Sequence, residues 1–179
     1  FRGENMSKSK VLIIARTAIL LALTIVFQMM GRFLGPNNNY IVGPLVNAAL
    51  LVATAATGLW GATAISVIAP FVSALTNKAA IAPLILSFSP FIALGNFVYV
   101  LCFFLLSKKN KVVGVIIGSI VKFGLLFASI SAFIRVMNVE EKPAAVLTSL
   151  FSWPQLFTAL VGGAIALFVI KTLKRSMDL

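Results

Sequence analysis

Residues 11–30 form one apolar run whose only charge is Arg16, and runs of this kind recur along the chain. About 20 apolar residues are what a helix needs to cross the hydrocarbon of a bilayer. No water is available there to satisfy backbone N–H and C=O groups, so each such run is expected to be helical. The composition agrees: 60% of the 179 residues are hydrophobic and 11% are charged, with a mean hydropathy of +1.07. A water-soluble domain carries about 25% charged residues. The expectation is an all-α integral membrane protein with six transmembrane helices. Residues 8–179 form a single membrane-embedded substrate-binding domain, and residues 1–7 read as a remnant of recombinant expression followed by an N-terminal tail. The first run is too long for a signal-peptide core and is read as a retained helix.

The helices are expected near residues 11–30, 41–57, 62–75, 91–106, 112–137 and 144–172. Gly31, Gly35, Pro36 and the run Asn37-Asn38-Asn39 give the first loop. Gly58-Leu59-Trp60-Gly61 turns the chain between the second and third helices. Residues 79–90 are apolar but contain Pro83 and Pro90, and read as an irregular or re-entrant entry to the fourth helix. Ser107-Lys108-Lys109-Asn110-Lys111 is a basic turn, and the last helix runs on past Pro154.

The formal net charge is +11. The cations stand at the ends of apolar runs, which marks them as topology signals rather than a nucleic-acid surface. With the N-terminus in the cytoplasm, Lys8, Lys10, Arg16, Lys108, Lys109, Lys111, Lys171, Lys174 and Arg175 fall inside. Arg32, Lys78 and Lys142 fall outside, together with Glu140 and Glu141. The asymmetry places both termini in the cytoplasm.

Catalytic chemistry has little to work with. The chain has no His and one cysteine, Cys102. No metal-ligand motif, nucleophile elbow, phosphate loop or paired intramembrane carboxylate occurs. The chain is therefore read as no enzyme, with no catalytic residue, no metal site and no catalytic cofactor. Without an intramembrane acid it also lacks the usual site for a coupling ion, so a partner is the expected energy source.

Polar groups at membrane depth are the candidate binding residues. Lys122 lies mid-helix with no helical acid to pair with. A backbone carbonyl, a water-filled pocket or another subunit are the available partners, and its role stays open. Arg135, one turn from its helix end, either snorkels to the surface or meets a ligand. Gln28, Asn47, Asn96 and Gln155 add amides that either hold helices together or face a ligand. Asn96 and Gln155 share their helices with Phe91, Phe97 and Tyr99 and with Phe151, Trp153 and Phe157, a mixture suited to a neutral or zwitterionic organic molecule. Ala15, Ala18 and Ala22 line one side of the first helix, where small residues permit close approach of another helix.

These features together resemble the substrate-binding S-components of energy-coupling factor (ECF) vitamin transporters. The resemblance rests on the length, the six spans, the basic turn after the fourth helix and Ala18-Ile19-Leu20-Leu21-Ala22. It rests also on Phe27-Gln28, Gly43-Pro44-Leu45-Val46-Asn47, Gly58-Leu59-Trp60-Gly61 and Pro90-Phe91-Ile92-Ala93-Leu94-Gly95-Asn96. It implies a multi-pass protein of a bacterial cell membrane that partners a membrane scaffold subunit and two cytoplasmic ATPases. Ala18 and Ala22 would dock on the scaffold, and the chain would topple in the membrane to deliver its ligand. The pocket would open outward under the loop of residues 32–40, and Asn37, Tyr40, Asn96, Tyr99, Arg135, Trp153 and Gln155 are its expected lining. The subgroup likeness leans to cobalamin. Pantothenate, folate, pyridoxine or a pyrimidine vitamer is the alternative, and a self-sufficient small carrier is the competing class.

Overall fold

The computed structural model describes residues 2–34, 38–76 and 79–177, and the described elements are all helical. They are α1 (Arg2–Met30), a 3-10 turn (Gly31–Phe33), α2 (Asn39–Thr76), α3 (Ala82–Leu106), α4 (Lys111–Val136), α5 (Glu141–Phe151) and α6 (Trp153–Met177). Five helical stretches are long and apolar enough to cross a membrane: Ser9–Met30, Asn39–Thr76, Ala82–Leu106, Lys111–Val136 and Glu141–Arg175.

The 38 residues of α2 would make a rod of about 57 Å if straight, nearly twice the roughly 30 Å of hydrocarbon. The helix is broken at Gly58, whose φ of 73° and ψ of −169° lie outside helical space. That backbone favours glycine because it has no Cβ to collide with its own chain. Leu50 and Ala53 before the break share a buried cluster with Ala62, Ile65 and Ala69 after it and with Val100 of α3. The expected interruption at residues 58–61 is present as a kink at one residue, Gly58.

Contacts set the directions of the other helices. Arg16 of α1 reaches the carbonyl of Ala56 at 3.5 Å, while at the other end Asn38 donates to the carbonyl of Gly31 at 3.0 Å. The first half of α2 thus runs antiparallel to α1. It runs parallel to α6, touching it first at Gly43 and Thr158 and then at Pro44 and Gly162. A Cβ at Gly162 would stand 2.5 Å from the Pro44 carbonyl oxygen, so the bare glycine is what lets the two backbones meet. α3 and α4 are antiparallel, pairing Gly95 with Leu126 and Phe103 with Gly114. The turn between them is capped by Asn110, whose side chain accepts from the amides of Val112 and Val113. One end of the bundle therefore gathers Arg16, Lys108, Lys111 and Lys174. Trp60, 87% exposed, follows Gly58 at that end.

Two expectations about helices need correction. Residues 79–90 are no irregular entry, because α3 is continuous from Ala82. Pro83 sits in the first turn, where its missing N–H has no helical partner to lose. Pro90 lies inside the helix, beside Phe88, which packs with Leu126, Phe133, Leu147 and Phe151 in a buried cluster. That packing outweighs one lost backbone hydrogen bond. The last helix is also not one piece. The chain breaks at Ser152, whose φ of −95° and ψ of −136° end α5, and Pro154 then falls in the first turn of α6.

Candidate functional site

Lys122 of α4 is 3% exposed, close to the middle of its helix. Its Nζ donates to Oδ1 of Asn47 on α2 at 2.6 Å and to Oδ1 of Asn96 on α3 at 2.8 Å. The same nitrogen lies 5.3 Å from the centre of the Tyr99 ring, a cation–π distance. Asn47 in turn donates to Oγ1 of Thr158 on α6 at 3.4 Å. Four helices thus converge on one lysine through amide and hydroxyl groups. A lysine at membrane depth is costly unless its charge is shared, and its contacts here are two neutral amide oxygens and an aromatic face.

The amides are held in place by buried neighbours. Asn47 and Asn96 are 3% and 4% exposed. Gly162 sits against Asn47 Cβ, and Gly95 leaves room for Leu126, one turn along α4 from Lys122. Tyr99 spends its hydroxyl inside the protein, donating to the Ala159 carbonyl at 2.7 Å. Its ring is therefore fixed as one wall of the lysine site.

A second group lies toward the other end of the bundle from the basic turn. Tyr40, at the start of α2, is 6.4 Å from Trp153 and 6.0 Å from Phe157 between ring centres, and Trp153 and Phe157 are 6.0 Å apart. All three rings are partly open, with Trp153 58% exposed. Thr158 directly follows Phe157, so α6 links this aromatic triad to the amides around Lys122.

The expected lining residues divide accordingly. Asn96 and Tyr99 belong to the lysine site, and Tyr40 and Trp153 to the triad. Gln155 is half-buried and donates to the Leu150 carbonyl at 3.0 Å, bracing the break before α6. Arg135 is exposed near the end of α4. Asn37 lies outside the described residues. Ala18 and Ala22 are exposed on α1. A separate cavity of about 470 Å3 opens between α3 and α4, lined by Ser87, Phe91, Ser129 and Phe133 among others. Among the described residues no group of His, Cys, Asp or Glu could hold a metal ion.

Asn47 and Thr158 were not among the expected lining residues. The signal for Asn47 was present: a lysine without an acid needs oxygen acceptors, and few mid-helix amides exist to supply them. Thr158 carried no such signal, since apolar helices contain many hydroxyl residues that bond only to their own backbone, as Thr54 and Thr57 do.

Searches of curated proteins and of solved structures found no match. A family model did match: the substrate-specific component of ECF transporters aligns with residues 13–173. That span takes in α2, α3 and α4 entire, with most of α1 and α6, and includes every residue of the lysine site. The chain belongs to the ECF transporter substrate-specific component family: it is a multi-pass membrane protein, a transport subunit and no catalyst, that recognises a vitamin-type substrate in partnership with an ECF transporter module.

Proposed function

We propose that this chain captures its vitamin from outside the cell between the aromatic triad and the lysine site, and that Lys122 holds an anionic or carbonyl oxygen of the ligand. The observation that supports this is the pairing of Lys122 with two neutral amide oxygens and the face of Tyr99. A lysine has three N–H donors, and Asn47 and Asn96 take two of them. A ligand oxygen would take the third and share the charge. Tyr40, Trp153 and Phe157 supply flat apolar surface for a ring or alkyl portion, and Arg135 adds a cation nearer the surface. Asn37 and Gln155 belong to the proposed rim.

The chain crosses the membrane six times in this reading, because the break at Gly58 divides α2 into two crossings of residues 39–57 and 59–76. Both termini are then cytoplasmic, and the basic end of the bundle faces inward. The partners are a membrane scaffold subunit and two cytoplasmic ATPases in a bacterial cell membrane, with Ala18 and Ala22 on the docking face. The chain topples against them to release its ligand inside, and ATP hydrolysis by the partners resets it.

Cobalamin is the first candidate, since its amides and phosphate match neutral donors plus a cation. Pantothenate and folate present carboxylates to the same lysine, whereas pyridoxine offers only hydroxyls and a ring nitrogen. Titration calorimetry of the purified chain with each vitamin is the test. Binding of cobalamin that weakens in Lys122→Met supports the assignment. Binding of another vitamin with the same sensitivity moves the substrate but keeps the site. Vitamin binding indifferent to Lys122→Met removes the lysine from the site. Topology is tested separately by labelling Phe33→Cys, 89% exposed beyond α1, in a Cys102→Ser background. Labelling from the outside is expected, and labelling only from the cytoplasmic side overturns the orientation.

A further inference from the structure

At the basic end of the bundle a groove of about 310 Å3 runs between α1, the first half of α2 and α6. Its floor is apolar, with Leu20, Val52, Ala55 and Ala56 among the residues that form it. The two alanines and the valine are short, and their size leaves the space. Arg16 stands on the α1 wall and Lys174 on the α6 wall, so a cation brackets the groove on each side. A second cavity adjoins it, sharing Ala55, Ile170 and Lys174 and adding Lys108 and Lys111. Neither lining contains an Asp or a Glu.

We propose that this groove is a seat for one anionic glycerophospholipid, its phosphate between Arg16 and Lys174 and an acyl chain along the Val52–Ala55–Ala56 floor. Charge complementarity supports this occupant. Four cations with no acid among them call for an anion. The apolar floor beneath them calls for an alkyl chain joined to that anion. A soluble phosphate would use the cations and leave the apolar floor unmatched, and a zwitterionic lipid would bring a second positive charge against the cations. The depth fits as well. Arg16 lies 14 residues before Met30, the end of α1, a rise of about 21 Å, which puts it toward the far edge of a hydrocarbon layer about 30 Å thick. A guanidinium there reaches the headgroup level by extending its side chain.

The seat borders the face of α1 that carries Ala18 and Ala22, because Ile19 also lines the groove, but its cation points elsewhere. Arg16 and Ala18 are two residues apart, so their side chains diverge by about 160° around the helix. The lipid seat also does not depend on the transport reading, since it uses no residue of the lysine site or the aromatic triad.

Native mass spectrometry of the purified full chain tests the seat. The chain is titrated with phosphatidylglycerol or with phosphatidylcholine of identical acyl chains. One phosphatidylglycerol is expected to remain bound, with at least about ten-fold higher occupancy than phosphatidylcholine. The double variant Arg16→Gln/Lys174→Gln is expected to lower phosphatidylglycerol to the phosphatidylcholine level. Val52→Phe, which fills the floor and keeps both cations, is expected to lower it as well. Lys109→Gln, an exposed lysine outside both linings, is the control and is expected to change nothing. Equal binding of the two lipids, retention of phosphatidylglycerol by the double variant, or its retention by Val52→Phe each overturns the proposal. Competition by glycerol phosphate at equal concentration also overturns it, since an anion without acyl chains would then suffice.

Discussion

α1 and α2 are both apolar enough to cross a membrane, yet 6% of the most apolar stretch of α1 is buried within the protein against 56% of that of α2. Hydropathy therefore decides that a segment enters the bilayer and says little about what it touches there. Within lipid the apolar contact is equally available from tails, so close packing and polar contacts select the neighbours of a helix. α2 is rich in small residues, with Ala48, Ala49, Ala53, Ala62, Ala69 and Ala74 all buried. It packs against α1, α3 and α6 and carries one of the two amides that hold Lys122. α1 uses one side, including Leu20, Leu21 and Thr24, to lie against that hub. Its remaining surface, with Ile14 and Ile19 each 68% exposed, is left for lipid or a partner.

Substitutions can break this contrast, and the largest effect is expected at the hub. Gly162→Val places side-chain carbons against the Pro44 carbonyl and the backbone of Ala48, and is expected to cost about 3 kcal/mol or more. Thermal unfolding should show a large loss of stability, whereas Ile14→Ala on α1 should stay within about 0.5 kcal/mol of the parent. A Gly162→Val protein as stable as the parent would mean that the α2–α6 approach is looser than described.

Next in size is the lysine at the centre of the hub. A hydrogen bond involving a charged group contributes about 1.5–3 kcal/mol, so Lys122→Met should weaken vitamin binding by roughly 10- to 100-fold. Calorimetry on monodisperse protein reads this directly.

The exposed helix should respond in the opposite sense. Ala18→Trp together with Ala22→Trp adds bulk at two exposed positions, so vitamin binding by the isolated subunit should be kept. Uptake by the complete transporter should fall by about ten-fold or more, because helices cannot approach closely across two indoles. Normal uptake would show that this face meets only lipid.

The smallest effect is expected at Arg135. An exposed cation interacts through water and contributes about 0.2–1 kcal/mol, so Arg135→Ala should weaken binding by no more than about five-fold, and less at high salt. A larger loss would bring Arg135 into direct contact with the ligand and make the rim as important as the buried centre.

The sequence was informative where physics is local and repetitive. Apolar runs of bilayer length gave the membrane helices, and the Gly-Leu-Trp-Gly stretch gave the break at Gly58, since glycine is the residue that tolerates that backbone. Lys122 could be singled out because a lysine at that depth must find partners. Asn47 and Asn96 were visible as amides at membrane depth, but their pairing with Lys122 was not, because Asn47 lies 75 positions away in the chain and only the packing of α2 and α4 against α3 and α6 brings it near. The prolines misled in both directions. Pro83 and Pro90 looked like breakers, yet a first-turn position excuses one and aromatic packing on α4 and α5 carries the helix past the other. Pro154 looked tolerated within a continuous helix, yet it opens a new one. Tyr99 was expected to line the pocket, but nothing in the sequence could say that its hydroxyl is committed to the Ala159 carbonyl.

The chain has two tryptophans, and the fold sends them to opposite ends: Trp60 beside the break at Gly58 and Trp153 in the ring cluster with Tyr40 and Phe157. Intrinsic fluorescence of the native protein is therefore a sum of two emitters that report on different membrane faces. Replacing Trp60 with Phe leaves a single emitter, edge-on to Phe157 and tilted against Tyr40, at the proposed ligand entrance. Replacing Trp153 leaves one that senses only the basic end and whatever lipid or protein comes to rest there. The protein thus carries its own pair of optical probes, one for the aromatic end and one for the basic end, separable by a single substitution each.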